Sequence, residues 1–295
     1  MKDFKLMCFA FVLFSGVLYS QTEQQVYNYF KGISKEKGFE KLDSLINMSN
    51  KKEDVIYLKA LVASNVYDDY EVAILSYEQY LEVISDTLSN SMVYLNLCKN
   101  YYKIGQTEKA QQFLKKAEEI NPENPYILHE LGYMIDEYTP ENLEIQYKYY
   151  EKALQNAYKF EYSKKDKFLE PMILGNIGFN LYHQKRTEES EAYLLQSVSI
   201  KEDKNVFNNL ANTYQRLGKY DKALQYYNKT LSIDPKYLYA INGKANTYFR
   251  QGDKEMACKF WEEALKSGYE YQDEWNAQYD IENPKTLVEK HCNKK

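Results

Sequence analysis

Proline and glycine are scarce in this chain, at 6 and 11 of 295 residues, which excludes a collagen-like or loop-dominated polypeptide and suits long helices. Histidine is scarcer still: His129, His183 and His291 form no H-x-x-x-H arrangement and none stands beside a cysteine at ligand spacing. The four cysteines, at positions 8, 98, 258 and 292, are too widely spaced for a zinc pattern or a disulfide framework. Cys98 and Cys258 fall at small-residue positions of helical stretches and are expected as buried thiols. Cys292, near the end, is expected to be exposed and open to pairing between molecules in an oxidising compartment. No G-x-S-x-G elbow and no glycine-rich phosphate loop is present. Glu188, Glu189 and Glu191 cluster where a helix starts, a place the helix dipole favours for carboxylates, so they are read as a solvated face rather than paired catalytic acids. The expectation is a chain that is not an enzyme and holds no cofactor or metal.

Charge of one sign is also lacking. Lys and Arg total 38 against 43 Asp and Glu, and the net charge of -5 is spread without a basic stripe, so nucleic acid is not an expected partner. Long apolar runs are confined to Leu6–Leu18, which follows Lys2 and Lys5 and precedes the polar Gln21. Basic start, apolar middle and polar exit describe a secretory signal peptide over residues 1–20, cut after Ser20; the run is shorter than the ~20 residues that span a bilayer. The mature chain is therefore expected to be exported, to periplasm, cell surface or medium, with no stable membrane span.

What is present is tyrosine, 31 residues of it, and a strong helical period within a 44% hydrophobic composition. Phe207, Leu210, Ala211 and Tyr214 share one helical face; Leu217-Gly218-Lys219 makes a turn; Tyr220, Ala223, Tyr227 and Leu231 share the face of a second helix; Asp234-Pro235 closes the unit. Ile241, Ala245 and Tyr248, then Gly252, then Ala257, Trp261, Ala264 and Leu265 repeat the scheme. Tyr214 to Tyr248, Gly218 to Gly252, Ala223 to Ala257 and Tyr227 to Trp261 are each 34 residues apart.

These positions resemble the tetratricopeptide repeat, with its aromatic, Leu-Gly-x-x-Tyr turn, alanines and closing proline. The register extends backwards through Tyr94, Leu97, Cys98, Tyr101 and Gly105, and through Tyr57, Ala60, Leu61 and Tyr70, where Asp68 holds the turn. It continues through the units begun by Pro125 and Pro171, the latter with Lys185 at its turn. The resemblance implies an all-α fold, a right-handed superhelical solenoid of antiparallel helix pairs. Residues 21–53 read as an atypical N-terminal helix pair with Lys37-Gly38 as its turn. Residues 54–270 read as about six repeats in one continuous array, with a curvature break at Glu161 to Glu170. Residues 271–295 read as a capping segment with a short helix from Pro284.

The resemblance also implies that the first helix of each pair lines a concave groove. The residues it places there are Asn96, Lys99, Tyr102, Asn176, Phe179, Asn208, Asn209, Asn212, Arg216, Asn242, Asn246, Phe249 and Arg250. Asparagine amides both donate and accept, aromatics add contact area, and the cations favour an acidic segment or a terminal carboxylate. The expected function is binding of a protein or extended peptide. A structural scaffold or self-assembling envelope component is the alternative, and the oligomeric state is left open.

Overall fold

In the computed structural model, residues 26–84, 87–135, 137–269 and 283–292 are described. The signal-peptide reading of residues 1–20 lies outside them. Among the described residues every regular element is helical and no strand occurs. None of the described helices is long and apolar enough to cross a membrane.

The chain resolves into two compact units. The first holds residues 1–134 and 155–167; the second holds 135–154 and 168–295. In the first unit a helical stretch at 26–30 is followed by α1 (Lys35–Met48), α2 (Lys52–Val66), α3 (Tyr70–Val83), α4 (Thr87–Lys103), α5 (Thr107–Ile120) and α6 (Pro125–Tyr133). Helix α7 (Pro140–Lys159) begins in the second unit and ends in the first, which also holds the four-residue α8 (Tyr162–Lys165). The second unit continues with α9 (Leu169–His183), α10 (Thr187–Ile200), α11 (Lys204–Arg216), α12 (Tyr220–Ile233), α13 (Leu238–Gln251), α14 (Lys254–Lys266) and α15 (Pro284–His291).

Each unit is built from helix pairs joined by short turns: α2 with α3 and α4 with α5 in the first, α9 with α10, α11 with α12 and α13 with α14 in the second. The turns reverse the chain because one residue takes a left-handed backbone. Gly105, Gly218 and Gly252 do so at φ 75°, 71° and 89°, and Asp68 and Lys185 stand at the corresponding places with φ 50° and 63°, as the repeat register anticipates. Polar caps start several helices: Asp69, Asn124, Asp203, Asp253 and Asn283 accept backbone N–H groups of the turns that follow them. Pro125 and Pro284 occupy first-turn positions where no N–H is needed.

Successive pairs then stack, α3 on α4 in the first unit, and α10 on α11 and α12 on α13 in the second. The stacking buries aromatics too large for one pair to enclose: Tyr77, Tyr80, Tyr227 and Trp261 are almost wholly shut from solvent. A second set lies between the helices of each pair. Tyr101 stacks on Phe113 at 5.4 Å and 7°, Tyr214 on Tyr226 at 5.4 Å and 21°, and Tyr248 on Phe260 at 5.6 Å and 3°. Lys109 lies 5.0 Å over the Tyr101 ring and Lys222 5.1 Å over Tyr214, so the outer edge of each stack is closed by a cation whose head stays in water.

Two expectations are corrected. Lys37-Gly38 is not a turn. Gly38 is buried inside α1, and a Cβ there would collide with the Tyr67 hydroxyl, so this glycine serves close approach of the residue that follows α2. The hydroxyl of Tyr67 donates to the Ile33 carbonyl at 3.3 Å, tying α2 to the start of α1. Nor are Cys258 and Cys292 separate thiols. They form an intrachain disulfide, with Cα atoms 5.6 Å apart across a separation of 34 residues. Cys258 is only partly buried, because it faces α15 rather than the interior of its pair. Cys98 is a free, buried thiol, and burial pushes its pKa up to about 12.

Candidate functional face

The first-helix residues named from the sequence divide between the two units. Asn96, Lys99 and Tyr102 lie on α4 in the first; the rest lie on α9, α11 and α13 in the second. On α4, Asn96 is half-buried and its amide nitrogen is 3.5 Å from the Tyr57 hydroxyl. Lys99 points out but faces the nearly buried Glu130 carboxylate at 3.6 Å, so part of its charge is already answered within the unit. Tyr102 packs against the first unit's core.

In the second unit the asparagines separate into two kinds. Asn208 and Asn242 are buried, 7% and 2% exposed, and each shuts an amide oxygen away from both solvent and any donor. They are out of reach of a ligand. Asn212 and Asn246, one turn further along the same helices, are half-buried and take part in matching bonds. The Tyr227 hydroxyl donates to Asn212 Oδ1 at 2.6 Å, and Trp261 Nε1 donates to Asn246 Oδ1 at 2.8 Å. Donor and acceptor are 15 residues apart in both cases. An indole N–H can only donate, so the oxygen of Asn246 must face it and the NH2 must face away. Tyr227 of α12 and Trp261 of α14 thus orient the amides of Asn212 on α11 and Asn246 on α13.

A further turn along stand Arg216 and Arg250, each four residues after its asparagine. Arg216 lies 3.6 Å over the Tyr182 ring and donates to the Tyr182 carbonyl, which fixes its guanidinium across the α9–α11 seam. Arg250 is exposed at the end of α13. Asn212 with Arg216, and Asn246 with Arg250, therefore form two donor-bearing pairs at the same place in consecutive repeats.

Asn176 and Asn209 meet elsewhere. They line a cleft of about 300 Å³ between α9 and α11, together with Pro171, Val206 and the exposed Phe168 and Met172. Lys201 lies at its edge, 3.7 Å over the Phe168 ring. Phe179 is drawn into an aromatic group instead, 4.5 Å from His183 and 6.0 Å from Tyr138. Phe249 packs beneath the last helix, 5.3 Å from Trp261 and 4.7 Å from His291. Burial lowers the pKa of His183 to about 4 and that of His129 to about 3, so both are neutral at pH 7 and present no charge. Among the described residues no group of three or more His, Cys, Asp or Glu side chains is arranged to hold a metal ion.

The repeat register places Asn212 and Asn246 on first helices but does not give the aromatic partners of their amides. The 34-residue spacing that relates Tyr227 to Trp261 was visible, and so was that relating Asn212 to Asn246; a donor at each second-helix position was the signal that joins them.

Comparison with known proteins agrees with this architecture. Tetratricopeptide repeat profiles match residues 93–124, 172–204 and 205–237. A TPR repeat-containing protein of Methanocaldococcus jannaschii, MJ1428, is 26% identical over 176 residues, 59% of this chain; the matched stretch spans only 29% of that relative's length. Among solved structures, PilW, described as a widely conserved type IV pilus biogenesis factor, aligns over 78% of this chain and 99% of its own, with TM-score 0.61 and 21% identity. The APC/C hetero-tetramer Cut9-Hcn1 aligns over 89% of this chain and 48% of its own, with TM-score 0.67 and 12% identity. At these identities the likeness is one of fold.

Proposed function

The chain carries tetratricopeptide repeats, and we propose from that premise that it is an exported, non-catalytic protein that binds an acidic protein segment across the first-helix face of α11 and α13. The observation that carries the reading is the repeated donor pair. Tyr227 and Trp261 hold the oxygens of Asn212 and Asn246, which leaves NH2 groups for a partner, and Arg216 and Arg250 follow at the next turn. A row of donors suits carbonyl and carboxylate oxygens. Neighbouring helices pack at about 8–10 Å, so an extended chain at roughly 3.3 Å per residue meets a donor pair about every third residue.

Export is supported by two features of different kinds. One is the basic, apolar and polar succession of residues 1–20. The other is the Cys258–Cys292 bond, since such bonds persist in oxidising compartments. The fold shared with PilW is compatible with a role in assembling an envelope structure and identifies no partner.

Isothermal titration with an Asp/Glu-rich peptide and a neutral peptide of equal length tests the reading. Joint Asn212→Ala and Asn246→Ala substitution is expected to weaken acidic-peptide binding about tenfold, near 1.4 kcal/mol, with helicity unchanged by circular dichroism. Arg250→Glu is expected to weaken the acidic peptide and spare the neutral one. Unchanged affinity in the double variant removes this face; equal loss for both peptides after Arg250→Glu removes the charge preference.

A further inference from the structure

The seam between α11 and α13 carries an aromatic ring that the seam between α9 and α11 lacks. Tyr237, just before α13, packs against the core that includes Val206, Leu210 and Ala240. Its hydroxyl donates to Asn205 Oδ1 at 3.0 Å, and Lys204 Nζ lies 5.4 Å from the centre of its ring, so the ring rests by the first turn of α11. The left-handed turn residues fix the register: Lys185 and Gly218 are 33 residues apart, Gly218 and Gly252 are 34. In that register Asp203 stands one repeat before Tyr237, and Pro171 and Met172 stand one repeat before Lys204 and Asn205.

Asp203 brings a short carboxylate where the next repeat has a ring. That carboxylate turns back to cap α11, accepting from the backbone N–H groups of Asn205 and Val206 at 2.8 and 3.2 Å. Gly175 stands one repeat before the buried Asn208, and a Cβ there would lie 3.1 Å from Val206 Cγ2. With these two exchanges the α9–α11 seam keeps a cleft of about 300 Å³. Two apolar side chains on its α9 side, Phe168 and Met172, are left 48% and 40% exposed.

We propose that this cleft is a docking site for an aromatic side chain, tyrosine or phenylalanine, of a partner protein, which takes the place that Tyr237 fills in the next seam. Pro171, Met172 and Val206 offer apolar walls, and a thioether lies favourably against an aromatic ring. Lys201 at the edge brings a cation suited to an aromatic face, as Lys204 is to Tyr237. An aliphatic side chain would fill the same space and answer neither the thioether nor the cation. The amides of Asn176 and Asn209 line the cleft and suit a tyrosine hydroxyl, which both donates and accepts. The proposal does not depend on the acidic-segment reading, which concerns the face of α11 and α13.

The test titrates the full-length chain, labelled with 13C at its methionine methyls, with N-acetyl-tyrosinamide and with N-acetyl-leucinamide. Met172→Leu identifies the Met172 resonance. Ring currents from a seated tyrosine are expected to shift that methyl saturably, at millimolar concentrations of so small a probe, with the leucine probe at least severalfold weaker. Asp203→Tyr gives the seam the ring of the next repeat, and is expected to displace the Met172 methyl without any probe and to abolish the titration. Phe168→Ala removes an exposed wall, and is expected to weaken the tyrosine probe severalfold with helicity unchanged by circular dichroism; it carries the test by itself if Asp203→Tyr does not fold. No saturable shift at Met172 overturns the proposal, as does equal binding of the leucine probe or affinity unchanged by Phe168→Ala. Tighter binding of free tyrosine than of the capped amide would mark a small-molecule site and overturn the docking assignment.

Discussion

The indole Nε1 of Trp261 donates to Oδ1 of Asn246 at 2.8 Å, and 34 residues earlier Tyr227 does the same for Asn212 at 2.6 Å. A fully buried ring on the second helix of a pair therefore aims a half-buried amide on the first. The ring is a core residue and the amide a surface one, so the packing of the repeat and the chemistry of its face are joined through one hydrogen bond.

Tyr227→Phe isolates that bond, since it removes a hydroxyl and leaves the ring. A loss of about 1 kcal/mol in unfolding free energy is expected, the usual net worth of such a bond. Chemical denaturation of this variant, of Asn212→Ala and of the double variant closes a cycle, and a positive coupling of about 0.5–1.5 kcal/mol is expected. Additive effects would show that Tyr227 does not orient Asn212.

Gly243 of α13 lies against the same ring. A Cβ there would fall 2.4 Å from Tyr227 Cζ, and Tyr227 is fully buried with no room to retreat. Alanine is the better helix former by about 1 kcal/mol, yet Gly243→Ala is expected to destabilise the protein by roughly 1–3 kcal/mol through overpacking. Thermal melts decide the sign. A rise in Tm would mean that the seam between α12 and α13 yields more easily than its geometry implies.

His183 should make the protein sensitive to mild acid. Its folded pKa is lowered to about 4 by burial, with the Arg216 charge as a second cause, whereas in the unfolded chain it titrates near the ordinary value of 6.5. Between these values the unfolded chain binds the proton and the folded one does not, so stability falls as pH drops from about 6.5 to about 4, by at most ~1.4 kcal/mol per unit. Replacing His183 by Asn removes this titration. Denaturation midpoints measured from pH 7 to pH 4 should then decline less steeply than in the parent; parallel profiles would assign the acid sensitivity to other groups.

The Cys258–Cys292 bond closes a loop of 34 residues. Chain entropy alone assigns such a closure about 3–4 kcal/mol. Joint Cys258→Ser and Cys292→Ser substitution is expected to speed hydrogen exchange in α15 and around Trp261 and to leave α9 to α12 unchanged, because repeats touch only their neighbours. Exchange altered throughout the second unit would refute that local description.

How much of the site could be read from the chain differs residue by residue. Asn209, Asn212, Asn246 and Arg250 keep some exposure on the first helices where the repeat register put them. Asn208 and Asn242 stand on those same helices only one turn away, yet the neighbouring helices enclose them. Phe249 looked like groove surface and is covered instead by His291, 42 residues on, from a helix whose seat no periodicity announces. Gly38 had the composition of a turn and proved to be a contact, since a glycine that admits a neighbour's ring and one that reverses the chain are the same letter.

Within the repeats the linear chain by itself determined the paired helices and the left-handed turns at Asp68, Gly105, Lys185, Gly218 and Gly252, because these follow from apolar spacing and from single residues that tolerate positive φ. Only the tertiary structure decided which amide meets which ring, which asparagines are enclosed, and that Cys258 and Cys292 bond to each other. Those outcomes depend on how separate helices lie in space, and a contact between side chains 15, 34 or 42 residues apart leaves no local pattern for the sequence to display.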